Sequence, residues 1–129
     1  TIYHKYRLRF DPQALGLKIP ATEFRNRLVD ALEAEGVEAT LWHITPLTSF
    51  PIFQRLNEGY AQGAPWLPQG EPPRVRCNPE DYPEAQRLLD ESIVVNSEPY
   101  PIYIQDLELM EYYVAAFRKI FDNLDELLG

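Results

Sequence analysis

The chain has 129 residues, the length of one ordinary domain with a modest core. Its hydrophobic content of 45% and charged content of 25% are typical of a folded globular protein and exclude extensive disorder. The formal net charge of −8 argues against nucleic acid as a partner, because binding phosphates requires clustered Lys and Arg.

The cysteine content and the hydropathy of the sequence indicate the cellular compartment of the protein. The single cysteine, Cys77, excludes an internal disulfide and indicates a reducing compartment. No segment approaches the roughly 18 consecutive apolar residues of a membrane helix, and no secretory signal is recognisable. We therefore predict a cytoplasmic protein with no membrane partner. Because the chain starts within a strand-like segment and has no initiator Met, we expect it to be a piece of a longer protein.

The first segment, residues 3–10, alternates between apolar and basic side chains. One face carries Tyr6, Leu8 and Phe10, and the other carries Lys5, Arg7 and Arg9. This period of two predicts a β-strand. Two interpretations of the basic face stay open: simple exposure to solvent, or contact with an acidic surface or an anionic ligand.

A helix and a second strand follow. Residues 20–35 carry an apolar stripe at helical spacing, formed by Phe24, Leu28, Ala31 and Leu32. Gly36 is placed to take the left-handed conformation that ends a helix. Residues Val37–His43 are predicted to form the second strand.

Prolines dominate the middle of the chain, since ten of the twelve lie between Pro46 and Pro101. Residues 46–80 are therefore predicted to be mostly irregular, with one helical turn around Ile52–Asn57. Residues 63–76 have no clear period. A long irregular stretch of this kind is either a functional loop or a mobile surface loop.

Three elements are predicted after this stretch. Asp81 and Glu84 have the spacing of a helix capping box, with Pro83 in the first turn of a helix over residues 81–92. The β-branched run Ile93–Val95 indicates a buried strand. A terminal helix over residues 106–128 is indicated by a stripe of Met110, Tyr113, Val114, Phe117, Ile120 or Phe121, Leu124 and Leu128. This stripe either faces the core or binds a partner.

The predicted order is β-α-β, irregular segment, α-β-α. It indicates an α+β two-layer sandwich in one domain, residues 1–129, with a small, mostly antiparallel sheet of about three strands covered by about three helices.

No residues in the sequence assemble a recognisable catalytic set. A Gly-rich phosphate loop, a metal-spaced His and Cys cluster and a nucleophile–base pair are all absent from the sequence, so no catalytic residue is predicted. The lysines, Lys5, Lys18 and Lys119, lie in settings that suggest solvation rather than Schiff-base chemistry. His43 is the stronger candidate for a ligand contact, because it ends a predicted strand beside Trp42 and leads into a Pro-containing loop. A structural His packed on Trp42 is the alternative.

Four stretches, in this order, resemble the C-terminal small domain of the DegT/DnrJ/EryC1/StrS family of sugar aminotransferases. They are Tyr6–Phe10, the helix and turn from Arg25 to Val37, the segment Trp42–Thr48, and the ending from Tyr82 to Val95 with the helix around Ala116–Ile120. The segment Trp42–Thr48 resembles a family motif that reaches the substrate pocket. It departs from that motif in that Thr48 replaces the motif's last His, and His43 falls where an aromatic residue is usual.

The resemblance implies a fold-type I pyridoxal-phosphate enzyme that transfers an amino group to a keto sugar or keto cyclitol. Members of the family are much longer than this chain, and their large domain holds the cofactor and the Schiff-base lysine. The chain is thus expected to lack the cofactor site, to be inactive alone, and to form part of the substrate-pocket wall. His43, Trp42 and Thr48 are the expected pocket residues, with Arg7 and Arg9 on the basic strand face as further candidates. The implied partners are the missing large domain and a second subunit of a homodimer.

A different class of function also fits the residues. The chain would then be a free-standing α+β module that uses Lys5, Arg7 and Arg9 to bind an anionic small molecule or a protein partner.

Overall fold

The α+β order predicted from the sequence is the order that the chain adopts. The computed structural model describes residues 5–54, 77–96 and 101–129. In these residues it contains three strands and five α-helices. They are β1 (Tyr6–Arg9), α1 (Ala21–Ala34), β2 (Ala39–Thr40), α2 (Pro51–Gln54), α3 (Pro83–Asp90), β3 (Ser92–Val95), α4 (Leu107–Asp122) and α5 (Leu124–Leu128). Short 3₁₀ turns occur at Leu47–Ser49, Pro79–Asp81 and Ile102–Ile104.

The chain divides into two compact units. The first contains residues 1–42 and 90–129, and the second contains residues 43–89. All three strands and helices α1, α4 and α5 belong to the first unit. The single domain over residues 1–129 stays a prediction, because two compact units can form one domain or two.

The sheet is antiparallel, with β3 in the centre and β1 and β2 at its edges. The central place of β3 follows from its β-branched sequence, since a central strand is covered on both faces. Ser92, Ile93, Val94 and Val95 are all buried. The predicted buried strand at Ile93–Val95 is therefore confirmed.

The pairing register separates an apolar face from a polar face. Leu8 pairs with Ile93, and Tyr6 pairs with Val95, so these side chains lie on the face toward the core. Arg7 pairs with Val94 and Arg9 with Ser92, which places both arginines on the opposite face. The predicted alternation is confirmed for β1. Residues 3 and 4 of the predicted strand lie outside the described part of the chain.

Helices α1, α4 and α5 pack together over the apolar face of the sheet. The buried core contains Phe24, Leu28, Val29, Leu32, Val37, Ala39, Ile93, Val95, Tyr113, Ala116 and Ile120. The stripe predicted on α1 supplies three of these residues, while Ala31 is half-buried. The first unit is thus a sheet with a helical layer on one face, which is the two-layer arrangement expected from the sequence.

The turn after α1 has the geometry of a Schellman motif. Gly36 has φ +81°, its N–H donates to the Glu33 carbonyl at 2.9 Å, and the Val37 N–H donates to the Leu32 carbonyl at 2.8 Å. The left-handed conformation predicted for Gly36 is confirmed. Val37 and Leu32 are both buried in the core, so the motif also joins the helix end to the sheet layer.

Strand β2 is much shorter than predicted. The expected strand covered Val37–His43, but only Ala39 and Thr40 pair with β3. At the start, the Val37 N–H is already used by the helix cap and cannot join a ladder. After Thr40 the chain bends at residues 42, 44 and 45 before Pro46.

The predicted capping box at Asp81 and Glu84 is wrong. Pro79 starts a 3₁₀ turn that includes Asp81, and α3 begins two residues later, at Pro83. The Asp81 carboxylate accepts from the Asn78 side chain at 3.2 Å, and Glu84 forms an ion pair with Arg87. Pro83 does occupy the first helical position, as predicted.

The terminal helix is interrupted. Asp106 caps α4, accepting a hydrogen bond from the Leu109 N–H at 2.8 Å. The helix ends at Asp122, and α5 follows after Asn123, so the predicted helix over residues 106–128 becomes two. Tyr113 and Ile120 from the predicted stripe are buried, whereas Val114 is 49% exposed. Within the described ranges, no helix combines the length and the apolar character that crossing a bilayer requires.

Candidate functional site

Arg7 and Arg9 lie on the sheet face opposite the helices and have different partners. The Arg7 guanidinium donates to the Ser92 hydroxyl at 2.9 Å. Arg9 forms an ion pair with Glu91 at 2.5 Å, and the Glu91 side chain is only 9% exposed. Glu91 needs this pairing, because a buried carboxylate without a cation is costly. The charge of Arg9 is thus compensated within the pair, whereas the hydroxyl that Arg7 contacts is neutral.

Trp42 lies at the end of the first unit in contact with a cation. The Lys5 ammonium lies over the indole ring, which is a cation–π arrangement. One face of the ring is therefore used by the chain itself. Trp42 as a whole residue is 39% exposed.

His43 and Thr48 belong to the second unit. His43 is exposed, whereas the hydroxyl of Thr48 is buried and has no hydrogen-bond partner among the described residues. The Gln54 side-chain amide donates to the Thr48 carbonyl and, at 2.7 Å, to the Cys77 carbonyl. These two hydrogen bonds connect the 3₁₀ turn that contains Thr48 to the segment at Cys77.

The five predicted site residues are therefore distributed over both units. Arg7, Arg9 and Trp42 belong to the first unit, and His43 and Thr48 belong to the second. Arg7 and Arg9 share one face of one strand, as the alternation of the sequence predicted.

Sequence reasoning missed the partners of the arginines and a buried amide. In the sequence, Glu91 and Ser92 mark only the end of a predicted helix. Asn96 follows the central strand with φ +61° and is 1% exposed. Neither polar atom of its side chain has a partner in the described part of the chain. The sequence signal that could have identified this position is an Asn directly after a β-branched run, because Asn tolerates the left-handed conformation better than most residues.

The lysines do not fit the Schiff-base role that a pyridoxal-phosphate enzyme requires, which is a desolvated amine that loses its proton readily. The Lys119 ammonium donates to Glu35 Oε1 at 2.7 Å, and this hydrogen bond and charge raise the pKa of Lys119 above its ordinary value of 10.5. Lys5 is engaged with Trp42, and Lys18 is exposed. Among the described residues, no cluster of His, Cys, Asp and Glu could hold a metal ion.

Comparison with protein-family models gave no match, and comparison with curated proteins gave none either. The resemblance to the sugar aminotransferases therefore rests on the sequence motifs.

Proposed function

We propose that this chain is the small domain of a pyridoxal-phosphate-dependent aminotransferase that acts on a keto sugar or keto cyclitol. In this proposal the chain forms part of the substrate-pocket wall and is inactive alone. The cofactor, which serves as the electron sink of amino transfer, belongs to the missing large domain, because the lysines of this chain do not fit it. The enzyme would be a cytoplasmic homodimer.

The observation that carries the proposal is the separation of the sheet's side chains into an apolar face and a face that carries Arg7 and Arg9. Helices α1, α4 and α5 occupy one face, and the opposite face presents the adjacent guanidinium groups of Arg7 and Arg9. A small domain that closes a pocket needs a core on one side and polar side chains available for a ligand on the other. The four motifs that resemble the family occur in the same order along this fold.

The proposal gives each candidate residue a binding role and none a catalytic one. Arg7 would bind an anionic group of the substrate, because its hydrogen-bond partner among the described residues, the Ser92 hydroxyl, is neutral. Trp42 is assigned a contact with the substrate from its place in the motif. His43 and Thr48 are assigned hydrogen bonds to substrate hydroxyl groups from their places in the motif.

The proposal is tested by reading the coding DNA immediately upstream of the Thr1 codon. We expect an open reading frame that continues upstream in phase and encodes a large domain with a cofactor-binding lysine. A start codon next to Thr1, preceded by an in-phase stop codon, would contradict the proposal.

A second function is favoured by the same two arginines. A free-standing module could use the face with Arg7 and Arg9 to bind an anion without any second chain. Thermal unfolding in the presence of inorganic pyrophosphate distinguishes this function. Stabilisation of the isolated chain that is lost in Arg7→Gln, and kept in the control Lys18→Gln, would favour the module.

A further inference from the structure

The described sheet ends at β1, which has a neighbouring strand on one side only. The strand order is β1-β3-β2, so β3 is the neighbour of β1. The Phe10 N–H donates to the Glu91 carbonyl at 2.7 Å, so the backbone of Phe10 points toward β3. In an antiparallel ladder this direction alternates from residue to residue. Leu8 therefore also points its backbone N–H and C=O groups toward β3, whereas Arg7 and Arg9 point theirs away from the sheet.

These outward backbone groups have no partner in the part of the chain that the structure describes. Apart from β3, no strand pairs with β1 in these ranges, and Arg7 and Arg9 take part in no other backbone hydrogen bond there. Both residues are exposed. An unpaired strand edge presents N–H donors and C=O acceptors at the spacing that another β-strand requires. The outer edge of β1 therefore has the chemistry to pair with an extended peptide.

An apolar groove lies beside this edge, between β1 and α4. It is a half-open cavity of about 290 Å³ with almost wholly apolar walls, which include Tyr6 and Leu8 from β1 and Met110, Val114 and Phe117 from α4. Val114 is 49% exposed, and Met110 and Phe117 are half-buried. The apolar stripe of α4 thus continues beyond the part that the core buries. A strand added to β1 would place every second side chain against this uncovered part of the stripe.

The charges beside the edge restrict which strand can pair with it. Arg7 and Arg9 lie on the sheet face away from the groove. Two copies of β1 would bring arginines close together across the pair, which is unfavourable. Arg9 already has the carboxylate of Glu91, whereas the described hydrogen-bond partner of the Arg7 guanidinium is the neutral Ser92 hydroxyl. A strand with an acidic residue opposite Arg7 is therefore favoured, since opposite charges directly across a strand pair attract.

We propose that the outer edge of β1 binds an extended peptide segment, antiparallel to β1, with apolar residues at alternate positions and an acidic residue opposite Arg7. The backbone groups of Arg7 and Arg9 hold the segment, its apolar side chains fill the groove beside α4, and its carboxylate contacts Arg7. In β-strand addition of this kind, main-chain hydrogen bonds supply affinity and pockets for alternate side chains supply specificity. The backbone edge and the groove have no role in the proposed function, so the two proposals are tested separately.

The probe is the peptide acetyl-Val-Thr-Val-Glu-Val-amide, whose glutamate falls opposite Arg7 and whose threonine falls opposite Arg9. Met110 is the only methionine in the sequence, so labelling methionine methyl groups with ¹³C gives one NMR signal, from the groove wall. The peptide should move this signal saturably. It should also slow the hydrogen exchange of the Arg7 and Arg9 amides, because strand pairing protects them.

Modified peptides separate strand pairing from groove contact. The glutamate of the peptide points its N–H at β1, whereas the central valine points its N–H away. Methylating the backbone nitrogen of the glutamate should therefore weaken binding about tenfold, and methylating that of the central valine should change it much less. Replacing the glutamate with lysine should weaken binding about fivefold, since an attractive cross-strand pair becomes a repulsive one.

Variants of the protein test the groove. Val114→Glu should weaken peptide binding about fivefold, because it places a charge on the apolar wall. Ala115→Glu is the matched control, since Ala115 is exposed on the same helix and does not line the groove. It should leave peptide binding unchanged. A thermal melt checks that both variants are folded.

Four results would overturn the proposal. The first is a Met110 signal that does not respond to the peptide. The second is equal binding of the two N-methylated peptides, since the peptide would then occupy the groove without pairing with β1. The third is equal binding of the glutamate and lysine peptides. The fourth is a Met110 signal that moves with protein concentration as the hydrodynamic size increases, because a second copy of the chain would then occupy the edge.

Discussion

At the scale of single residues, Gly36 links the end of α1 to α4. Its φ of +81° disfavours any side chain, and a Cβ there would lie 3.1 Å from the Tyr112 hydroxyl oxygen. That hydroxyl donates to the Glu35 carbonyl at the helix end. A side chain at position 36 would therefore strain the backbone and disturb this hydrogen bond.

We predict that Gly36→Ala lowers the free energy of unfolding by about 2 kcal/mol, which combines the left-handed backbone cost with a weakened hydrogen bond. Gly16→Ala is the matched control. Gly16 also has a positive φ, +75°, but nothing lies within 4 Å of the position that a Cβ would occupy there. The loss for Gly16→Ala should be about 1 kcal/mol, from the backbone alone. Urea unfolding measures both, and equal losses would contradict the role given to Tyr112.

The ion pair between Lys119 and Glu35 joins α4 to the end of α1 and predicts a pH dependence. The pKa of Lys119 is raised in the folded protein by the hydrogen bond and charge of Glu35. The protonated form is therefore stabilised by folding. This contribution is fully present below the ordinary pKa of 10.5 and is lost as the pH rises through the higher folded value.

We predict that Glu35→Gln lowers the pKa of Lys119, measured by NMR titration of the lysine side-chain carbons. The control Glu33→Gln changes an exposed carboxylate on the same helix and should have a much smaller effect. The difference in unfolding free energy between the wild type and Glu35→Gln should also shrink above pH 10.5. A Lys119 pKa that is the same in both variants and the wild type would be inconsistent with the pair.

At the scale of elements, the two predicted helix starts gave different outcomes. The apolar stripe predicted the start of α4 correctly. Asp106 caps this helix by accepting a hydrogen bond from the Leu109 N–H. For α3, the spacing of Asp81 and Glu84 suggested a cap, but the 3₁₀ turn from Pro79 absorbs Asp81. The spacing of Asp81 and Glu84 could not reveal this difference, because the 3₁₀ turn that starts at Pro79 includes Asp81.

We predict that Asp106→Ala lowers the free energy of unfolding by about 1 kcal/mol, the usual cost of losing an N-cap side chain. Asp81→Ala, which removes the cap suggested by the sequence, should cost less than about 0.5 kcal/mol, because among the described residues its carboxylate accepts a hydrogen bond from the exposed Asn78 side chain and caps no helix. Chemical unfolding of the two variants compares them directly. A larger loss for Asp81→Ala would contradict the assignment of the helix starts.

Sheet elements were predictable where one residue pattern dominated. The β-branched run Ile93–Val95 predicted β3, because a strand that is buried on both faces is apolar throughout. The alternation in Tyr6–Arg9 predicted β1, because a strand with one face toward the core alternates apolar and polar residues. Strand β2 was overestimated, since the propensity of Val37 for strands is overridden by its role in the helix cap. The strand propensity of Val37 describes only the preference of that residue type. The helix cap uses the Val37 backbone N–H, so this group is not available for pairing with a strand.

At the scale of the whole molecule, the fold class was predictable and the site was predictable only in part. The periodicity of the apolar residues determines which face of each helix and strand is buried, so the helical layer and the sheet layer could be predicted from the sequence. The partners of Arg7 and Arg9 come from Ser92 and Glu91, more than eighty residues away in sequence. Long-range pairing of this kind depends on strand register, which single-chain patterns do not specify. Residues 63–76, which were predicted to be irregular, lie outside the described part of the chain, so both interpretations of this stretch stay predictions.

The central claim is that this chain is a non-catalytic wall of a pyridoxal-phosphate enzyme. Its most direct test is borohydride reduction of the cofactor-loaded protein encoded by the whole reading frame, followed by peptide mapping. Borohydride converts the Schiff base between the cofactor and its lysine into a stable amine that marks the lysine. We predict one marked lysine, located upstream of Thr1. A mark on Lys5, Lys18 or Lys119, or no marked lysine at all, would contradict the account.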